Sequence, residues 1–574
     1  MRNKDVSAVF DEIADLLEIT GEQSFRVNSY RRAARTIKSL TKDIDDLHKA
    51  GGLGELPGIG KSMAAKIEEY LTAGHMALHA ELMSAVPVEL PKLLGISGMG
   101  PKKVALAWKE LNVTGLDDLK RVIASGEFAK LKGMGAKSVE QIAKGLELLE
   151  RSSGRTPLGI AWPLADELAE AMRGVEGVRR VEIAGSLRRG CETIGDLDLL
   201  CDADDRERVV TAFTRLPQCR RVLASGETKG SILVERRDGG EIQVDCRVVP
   251  TESFGAALQY FTGSKEHNVR LREMASKRGW KLNEWGLFEG ETRLAGDDEA
   301  AIYEKMGVAF VPPEMREDRG EFDLKSAEAM VEIGDIRGDL HCHTTASDGT
   351  ADAITMAQAA CDRGYEYVAI TDHSKSSAVA NGLTIDRMWR QIEMVKGLNK
   401  KLDKITVLVG CECDILADGT LDYPDNVLAA CDFVVASVHS SMKQDRDRVT
   451  KRVIDAMSNP NVSLLGHPTT RLIGRREPMD LNMEAVVAAA AETGTALELN
   501  ASWQRLDLCD LHVRMAVEAG VKICIDTDAH STAQFDQMKF GIATARRGWV
   551  KTKDVLNTMP LPSLRKWVAK KRKV

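Results

Sequence analysis

The sequence predicts a multidomain chain that combines α+β and α/β architecture, with a helical first part and a barrel-like last part. The chain has 574 residues, which is too many for one hydrophobic core, and about 150 residues per domain suggests several domains. Residues 1–150 have helical periodicity, strand patterns begin near residue 180, and after residue 335 short β-branched runs alternate with helical stretches. Such alternation is typical of an α/β barrel or a doubly wound sheet.

Composition is that of an ordinary globular protein. The chain is 43% hydrophobic and 29% charged with a net charge of -7, which neither indicates nor excludes nucleic-acid binding because acidic and basic surfaces offset each other. No apolar run approaches the roughly 20 residues that span a bilayer, so we expect no membrane association. The 11 cysteines are scattered and lack zinc-ribbon spacing, which favours a reducing cytoplasm.

Three short glycine turns recur in the helical first part: LPGIGKS (56–62), ISGMGPKK (96–103) and LKGMGAKS (131–138). Glycine lets the backbone approach a ligand, and the N–H groups that begin the next helix favour a phosphate. One copy is weak evidence because helix connections also use glycine. Three copies resemble helix-hairpin-helix motifs, which bind DNA through its phosphates. The candidate DNA-binding residues are Gly58, Gly60, Lys61, Gly98, Gly100, Lys102, Gly133, Gly135 and Lys137.

Three aspartates in the central part are candidate catalytic residues. Asp196 and Asp198 are separated by one residue on a predicted strand, so their side chains share one face. Asp245 lies in a second predicted strand, EIQVDCRVV. Adjacent carboxylates repel unless a cation lies between them, and Mg²⁺ prefers oxygen ligands. An isolated Asp-x-Asp is usually a strand end, but three carboxylates around two metals can activate a 3′-hydroxyl and neutralise pyrophosphate.

The segments GSLRRG, GDLDLL, VDCRVV, LQYFTGSKEHNVRLR and LNEWGLF resemble the palm and nucleotide-binding subdomain of family X DNA polymerases, such as polymerase beta. With the glycine turns, the resemblance covers roughly residues 1–315. It implies a nucleotidyltransferase palm with a small α+β subdomain, in which the three aspartates bind Mg²⁺ or Mn²⁺ and Asp245 helps to deprotonate the primer. The nucleotide-binding residues that it implies are Gly185, Ser186, Arg189, Tyr260, Phe261, Gly263, Lys265, Asn268 and Arg272.

This sequence departs from the family pattern at two positions near the predicted polymerase site. Gln243 stands where an arginine usually supports the third aspartate, and Lys265 replaces an acidic residue near the incoming base. Both departures bear on fidelity and closing kinetics but not on the type of reaction. Glu284 is expected to support the closed form.

The same resemblance implies that Lys66 is the nucleophile of a 5′-deoxyribose phosphate lyase. Such a lysine must be neutral to attack, so its neighbours must lower its pKa. Tyr30 matches the family, and Arg26 keeps the charge of a family lysine. However, Phe25 stands in place of a polar residue and Ser62 in place of a phosphate-binding lysine. The alternative is that Lys66 is a solvated or DNA-facing helix lysine.

Histidines and acids at the ends of predicted strands mark the last part of the chain. The nine candidate ligands are His341, His343, Asp348, His373, Glu412, His439, His467, Asp528 and His530. A lone histidine on an apolar strand is usually structural, but nine such residues at one edge predict a metal site, since imidazole and carboxylate suit Zn, Mn or Fe. Barrel enzymes place their chemistry at this edge. Cys411 and Cys413 flank Glu412 and should point away from it.

These motifs resemble the polymerase and histidinol phosphatase (PHP) family, a distorted β/α barrel with a trinuclear site, over roughly residues 335–574. The resemblance implies Zn²⁺, Mn²⁺ or Fe²⁺ as cofactors and hydrolysis of the DNA 3′ end, with cutting at abasic sites as a further option. It places His341, His343, Glu412 and Asp528 on one metal, Glu412, His439 and His467 on a second, and Asp348, His373 and His530 on a third. Arg471, Arg475 and Arg476 either contact DNA or form a solvated loop.

The resulting hypothesis is a monomeric, cytoplasmic and nucleoid-associated repair polymerase that fills short gaps in gapped or nicked DNA with dNTPs. The predicted domains are a lyase-like helical domain (1–80), a helix-hairpin-helix subdomain (81–153), the palm (154–250), the nucleotide-binding subdomain (251–315), a linker (316–334) and the PHP domain (335–574).

Two alternatives compete with this hypothesis. One is a nucleotidyltransferase for RNA or small molecules with a small-molecule phosphatase; the three glycine turns and YFTGS argue against it. The other is a non-catalytic DNA-binding scaffold, which the intact acids and ligands argue against.

Overall fold

The computed structural model describes residues 3–38, 44–56, 58–96, 98–131, 133–135, 138–140, 142–143, 146, 154–324 and 329–573. The chain forms two compact units. One holds Met1–Ser153, and the other holds the remaining residues apart from the loops Asp348–Ala351 and Gly474–Glu477, which are grouped with the first. Within these described ranges no helix has the length and apolar character needed to cross a membrane.

The described part of the first unit is helical, as the sequence predicted. Its α-helices are α1 (Asn3–Thr20), α2 (Ser24–Lys38), α3 (Ile44–Lys49), α4 (Lys61–Ala73), α5 (Ala77–Ser84), α6 (Pro101–Leu111) and α7 (Leu116–Ala124). In α1, Phe10, Ile13 and Leu17 recur at helical spacing and are all buried, which gives the helix one apolar face. The ring of Phe10 lies 5.7 Å from that of Tyr30 on α2, so these two helices share a core.

Residues 178–249 of the second unit form a five-stranded mixed sheet, here called the central sheet, with strand order β2-β4-β7-β6-β5. Its strands are β2 (Val178–Ile183), β4 (Asp196–Ala203), β5 (Cys219–Ser225), β6 (Lys229–Glu235) and β7 (Glu241–Val249). The helices α8 (Leu158–Arg173), α9 (Gly185–Arg188) and α10 (Arg206–Thr214) accompany it, and β1 (Thr156–Pro157) pairs with β3 (Thr193–Ile194). Of the sheet's four pairings, β4 with β7 is parallel and the other three are antiparallel.

A small α+β subdomain follows. It contains α11 (Phe254–Thr262), α12 (Lys265–Ser276) and α13 (Glu299–Lys305), with an antiparallel sheet of β8 (Trp280–Asn283), β9 (Gly286–Glu289) and β10 (Thr292–Ala295). Arg316 is fully buried in the core of this subdomain, where its Nη1 lies 2.6 Å from Glu299 Oε1. A buried guanidinium requires such a partner because an unpaired charge inside a protein costs several kcal/mol.

The last part of the chain is a parallel seven-stranded sheet with its strands in sequential order. The strands are β11 (Gly338–Cys342), β12 (Tyr367–Ile370), β13 (Thr406–Asp414), β14 (Phe433–Ser437), β15 (Leu464–Leu465), β16 (Ala496–Asn500) and β17 (Ile523–Asp526). The sheet curls until its ends meet: Leu340 N donates to Asp526 Oδ1 over 2.7 Å, and Cys342 forms a bridge with Ala529. Of the two architectures that the strand–helix alternation allowed, the structure therefore selects the barrel.

Helices surround the barrel, as expected when β-strands run parallel and each needs a crossover connection. They are α14 (Ala353–Asp362), α15 (Ile385–Leu398), α16 (Asp425–Ala429), α17 (Arg446–Met457), α18 (Met483–Thr493), α19 (Asp510–Glu518), α20 (Met538–Arg547) and α21 (Leu561–Lys571). The strands are buried along nearly their whole length, which explains their continuous β-branched runs.

Candidate active sites

The three aspartates predicted to be catalytic lie on two neighbouring strands of the central sheet. Asp198 on β4 pairs in register with Asp245 on β7, and Asp196 pairs with Gln243. Leu197 lies between the two β4 aspartates and is fully buried. The period of two along a strand therefore separates a carboxylate face from an apolar face.

The carboxylates are close enough to perturb one another. Burial raises the pKa of Asp198 to about 7, and the charges of Asp196 and Asp245 add to this rise. Clustered acids resist ionisation because like charges repel, most strongly away from water. The cluster is thus an electronegative site that a cation would stabilise.

Asp245 is held by three side chains. Its Oδ1 accepts hydrogen bonds from Ser231 Oγ at 2.7 Å and from Gln243 Nε2 at 2.9 Å. Its Oδ2 lies 2.5 Å from the ammonium of Lys229. Burial alone would raise the pKa of Asp245, but the contacts with Lys229, Ser231 and Gln243 lower it below its usual value. Gln243, which departs from the family pattern, therefore still supports the third aspartate.

Lys229 is the cation that Asp245 contacts in this structure. Within the described ranges, the groups of three or more ligand atoms lying within 4.8 Å of one another all belong to the C-terminal barrel. The central carboxylates do not form such a group. Their chemistry nevertheless fits Mg²⁺ or Mn²⁺, since they are oxygen donors on one face with an unfavourable mutual charge.

Gly185 lies against Asp198 at the start of α9. Its φ is +65°, and a Cβ added to it would come within 2.3 Å of Asp198 Oδ2. A side chain here would meet both a strained backbone and the Asp198 carboxylate. The glycine of the GSLRRG motif is thus required by the close approach of this loop to β4.

The predicted nucleotide-binding loop contains Ser186, which is half-buried, and Arg189. Arg189 Nη1 donates to the carbonyl of Thr262 at 2.5 Å, and its Nε lies 3.2 Å from Glu317 Oε1. A Cβ on Gly263 would approach Arg189 Nη1 to 3.0 Å. Arg189 and Gly263, assigned to one site from sequence, are therefore neighbours in space.

The other predicted nucleotide-binding residues lie on α11 and α12. The rings of Tyr260 and Phe261 are 5.1 Å apart and nearly perpendicular. Asn268 Nδ2 donates to the carbonyl of Tyr260 at 2.7 Å, which ties the start of α12 to the end of α11. Lys265 and Arg272 are exposed on α12.

The first two glycine turns each lead directly into a helix, α4 and α6. Gly58, Gly98 and Gly133 have φ values of +79°, +92° and +85°, so the first glycine of every turn takes the left-handed conformation that the motif needs. The second glycines are Gly60, Gly100 and Gly135, and a Cβ on any of these three would meet no atom within 4 Å. Lys61 and Lys102 are exposed. Lys137 lies outside the described residues.

Lys66 is half-buried on α4. Tyr30 is only 2% exposed and belongs to the helical core. Phe25 is 84% exposed, and Ser62 is also exposed. Arg26 pairs with Glu22 at 2.5 Å. The two departures from the lyase pattern thus both lie on the surface.

The predicted histidines and acids of the barrel converge at the carboxyl ends of the strands. His341 is on β11, Glu412 is on β13, and His439 follows β14 by two residues. His343 Nε2 lies 3.1 Å from Asp528 Oδ1, and Glu412 Oε1 lies 3.0 Å from His467 Nε2 and 3.2 Å from His439 Nε2. Parallel strands bring their ends to one edge, which explains this convergence.

Among the described residues, this cluster contains three groups of candidate ligand atoms, and inside each group all the atoms lie within 4.8 Å of one another. They are His343, Asp348, His373 and His530; His341, His343 and Asp528; and His373, Glu412 and His439. The groups overlap with the three sets implied by family resemblance, but His343 and His373 each belong to two. His467 lies outside the groups, although it hydrogen-bonds to Glu412.

The chemistry of this cluster fits bound metal ions. His341 Nε2 and Glu412 Oε2 lie 3.5 Å apart, and both are buried without a hydrogen bond in the described parts of the chain. Burial lowers the pKa of His343 and of His467 to about 4, so both imidazoles are neutral, as ligation requires. Burial alone would raise the pKa of Glu412, but His439, His373 and His341 hold it well below its usual range.

Sequence reasoning missed the residues that orient these ligands. Glu498 Oε1 lies 2.6 Å from His341 Nδ1, and Asp414 Oδ1 lies 2.6 Å from His439 Nδ1. A carboxylate on the second ring nitrogen fixes the orientation of an imidazole ligand. Glu498 is the middle residue of the ALELN strand motif, and an acid between two buried leucines is the sequence signal that could have identified it. Arg505 Nε lies 3.7 Å from Asp528 Oδ2 and adds a positive charge beside the ligands.

Arg471 is not available to contact DNA, and it is not part of a solvated loop. Its Nη2 pairs with Glu192 Oε1 at 2.5 Å and also donates to the carbonyl of Leu506. The side chain is 15% exposed. Both alternatives drawn from the sequence are therefore wrong for this residue. Arg471 instead links Glu192, which precedes β3, to the carbonyl of Leu506 in the barrel.

Comparison with known proteins agrees with this geometry. A curated relative, the DNA polymerase/3′-5′ exonuclease PolX of Bacillus subtilis (strain 168), is 39% identical over 567 residues, covering 98% of each chain. The chain belongs to the PolX family. DNA polymerase lambda of Rattus norvegicus is 24% identical over 347 residues, or 55% of this chain and 56% of the relative.

Family models match separate parts of this PolX chain. A helix-hairpin-helix domain matches residues 1–76 and a SAM-like helix-hairpin-helix tandem matches 90–147. The DNA polymerase beta thumb matches residues 257–317, and the PHP domain matches 339–502. A probable phosphatase of Thermoanaerobacter sp. (strain X514) is 31% identical over 231 residues, which cover 38% of this chain and 89% of the relative. The predicted family membership is thus confirmed, together with the helix-hairpin-helix, polymerase and PHP parts that it implies.

Proposed function

We propose that this PolX chain fills short gaps during DNA repair, including base excision repair, and trims the DNA 3′ end with its own nuclease. One observation carries the polymerase part: the cross-strand pairing of Asp198 with Asp245, with Asp196 on the same strand as Asp198. Convergent carboxylates of this kind suit two-metal nucleotidyl transfer. In this proposal residues 154–250 are the palm and 251–315 the nucleotide-binding subdomain.

In the synthesis site, Asp196, Asp198 and Asp245 would hold Mg²⁺ or Mn²⁺. The bound ions would activate the primer 3′-hydroxyl and neutralise the leaving pyrophosphate. Asp245 would accept the hydroxyl proton, and the hydrogen bonds that it accepts from Ser231 and Gln243 would help to keep it ionised for that role. The ammonium of Lys229 lies 2.5 Å from Asp245 Oδ2, and it would move away from this carboxylate when a metal ion binds there.

The incoming dNTP would bind between the GSLRRG loop and α11–α12. Ser186 and Arg189 would hold the triphosphate, and the N–H groups at the start of α9 lie beside them. Tyr260, Phe261 and Gly263 would line the sugar pocket. Asn268, already hydrogen-bonded to Tyr260, would face the base pair together with Arg272. Lys265 would add positive charge near the base.

In the nuclease site, the nine barrel ligands would hold Zn²⁺, Mn²⁺ or Fe²⁺. The ions would activate the attacking water and stabilise charge on the phosphate. Glu498 and Asp414 would orient His341 and His439. Arg505 would stabilise the negative phosphodiester that lies beside Asp528. Abasic-site cutting would use the same ligands.

The helix-hairpin-helix turns would bind the DNA backbone through their glycine N–H groups, with Lys61 and Lys102 supplying charge. Such contacts are independent of sequence, as gap repair requires. We propose that the chain acts as a monomer on nucleoid DNA in the cytoplasm.

A single assay tests this function. Full-length protein is incubated with one-nucleotide-gapped DNA and Mg²⁺ or Mn²⁺, with and without dNTPs. We expect gap filling with dNTPs and shortening of the 3′ end without them. Release of phosphate from small phosphomonoesters, with no change to the DNA, would instead favour the small-molecule phosphatase alternative. DNA binding without either reaction would favour a scaffold.

A further inference from the structure

Arg189 is held in a defined position by contacts on two sides. Its Nη1 donates to the carbonyl of Thr262 at 2.5 Å, and its Nε lies 3.2 Å from Glu317 Oε1. The side chain is only 15% exposed. A third, weaker contact joins its Nη2 to Cys191 Sγ at 3.9 Å. Arginine has five N–H donors in a rigid fork, so donors remain for a ligand after these three contacts are made.

Glu317 is in turn held by a residue of the barrel. Arg547, the last residue of α20, donates from Nη1 to Glu317 Oε1 at 2.8 Å and to the carbonyl of Arg189 at 2.9 Å. Its Nη2 lies 3.1 Å from Asp510 Oδ2. Arg547 is 8% exposed. One guanidinium of the nuclease domain thus contacts both the backbone of Arg189 and the carboxylate that orients its side chain.

A second contact joins α20 to the GSLRRG loop, which contains Arg189. Gly190 follows Arg189 with a φ of +65°, and a Cβ placed on it would lie 2.9 Å from the Cβ of Ala543 on α20. The nucleotide-binding loop therefore has a backbone contact and a hydrogen-bonded side-chain contact with one helix of the barrel. These contacts form a contiguous physical connection of the kind that can carry coupling between two sites.

We propose that Arg547 is a positioning residue for nucleotide binding, acting through Glu317 and the backbone of Arg189 to orient the Arg189 guanidinium toward the triphosphate. The proposal rests on the polymerase function proposed above. It makes the nuclease domain a structural part of the polymerase nucleotide site.

One physical effect gives the expected direction. Without Arg547, both Glu317 and the backbone of Arg189 lose a hydrogen-bond donor, so the side chain of Arg189 would be less ordered before the nucleotide arrives and binding would have to order it. This cost raises KM for the dNTP. Arg547 contacts no reacting atom, so kcat should change little.

The test compares Arg547→Met with Arg546→Met in the full chain. Arg546 precedes it on α20 and pairs with Glu314 at 2.8 Å. It is therefore a matched arginine that also pairs with a carboxylate on the segment near Glu317, three residues before it. Steady-state gap filling is measured on one-nucleotide-gapped DNA with the complementary dNTP. We expect Arg547→Met to raise KM roughly tenfold with kcat unchanged, since misplaced binding groups mainly lose ligand affinity.

Arg546→Met should leave KM at the wild-type value, and neither variant should alter 3′–5′ exonuclease activity on single-stranded DNA. An unchanged KM in Arg547→Met, or an equal rise in Arg546→Met, overturns the positioning role. If the wild-type chain itself does not extend the primer, the proposed polymerase function fails, and this is seen before any variant is compared.

A second variant covers the case in which Arg547→Met does not fold. Glu317→Ala removes the shared carboxylate and should also raise KM for the dNTP. Where Arg547→Met does fold, the double variant should raise KM no further than the larger single effect, because both substitutions break the same chain of contacts. A fall in KM for Glu317→Ala, or additive effects in the double variant, contradicts the proposal.

Discussion

Asp198 and Asp245 lie directly opposite each other on β4 and β7, the parallel pair of the central sheet. Burial and the charges of Asp196 and Asp245 raise the pKa of Asp198 to about 7, whereas Lys229, Ser231 and Gln243 outweigh burial and lower the pKa of Asp245. The two carboxylates differ in proton affinity because Asp198 is more deeply buried beside two other acids, whereas Asp245 accepts hydrogen bonds from Lys229, Ser231 and Gln243. Asp245 is therefore the more fully ionised of the two at neutral pH, which is the state that a proton acceptor needs.

Replacing Asp245 by alanine should abolish primer extension, with a loss on the order of a thousandfold or more, because a metal ligand and a proton acceptor are both removed. DNA binding, measured by gel shift, and 3′–5′ exonuclease activity should remain. Asp238→Ala is the matched control, since Asp238 lies in the neighbouring turn and pairs with Arg236. Extension that survives in Asp245→Ala would remove Asp245 from the catalytic role.

Replacing Gly185 by alanine should reduce primer extension without affecting the nuclease. The added Cβ would lie 2.3 Å from Asp198 Oδ2 at a φ of +65°, so either the loop or the carboxylate must move. We expect kcat to fall by about a hundredfold, as for small displacements of reacting groups. Gly239→Ala, in an open turn with a positive φ, controls for backbone strain alone. Equal loss in both variants would show that contact with Asp198 is unimportant.

His341→Ala should remove nuclease activity and spare polymerase activity. His341 is fully buried among the ligand atoms and is oriented by Glu498, so its loss opens the metal site. Exonuclease activity is followed on labelled single-stranded DNA and gap filling on a gapped duplex. His512→Ala serves as control because His512 lies on α19 of the same barrel but outside the ligand groups. Nuclease activity that persists in His341→Ala would locate it elsewhere.

Glu299 should make stability depend on acid pH. Burial alone would raise its pKa, but Arg316 and Arg188 lower it from 4.5 to about 2. A depressed folded-state pKa contributes stability above about pH 4.5 that is lost as pH falls toward 2, on the order of 3 kcal/mol in total. In chemical denaturation, Glu299→Gln should be less stable than wild type at pH 7, and this difference should shrink through that window. A difference independent of pH would exclude Glu299 as the titrating group.

Lys66 should form no trapped adduct with DNA. Phe25 and Ser62 both lie exposed where the lyase pattern has polar and phosphate-binding side chains. Borohydride trapping on a 5′-deoxyribose phosphate substrate, with Lys66→Ala beside wild type, measures this directly. An adduct in wild type that disappears in Lys66→Ala would show that Lys66 is a Schiff-base nucleophile.

The parts of these sites that could be predicted were those that depend on the spacing of residues along a single strand or turn. Asp196 with Asp198, and His341 with His343, are two residues apart, and a strand places such pairs on one face whatever the rest of the fold does. The glycine turns were recognisable because a positive φ demands glycine within a few residues of the helix start. The parallel α/β class of the last part was foreseeable because parallel strands need helical crossovers, which leave an alternating pattern, although that pattern allowed a doubly wound sheet as well as a barrel.

Contacts between distant residues had no such signal. The Lys229 ammonium on Asp245 depends on how the β6–β7 hairpin pairs, and the membership of His343 and His373 in two ligand groups depends on how seven strand ends meet. Arg471 was misjudged for the same reason, since its partner Glu192 is far away in the sequence.

The sequence by itself determined which residue types carry the chemistry, which of them share a strand face, and the family to which the chain is similar. Only the tertiary structure decided that Asp198 faces Asp245 in register and that Arg547 reaches Glu317 beside Arg189. The physical reason is that hydrogen bonding and side-chain periodicity act over a few residues and leave a repeating pattern. Docking of one segment on another depends on packing across the whole fold, which no local pattern encodes.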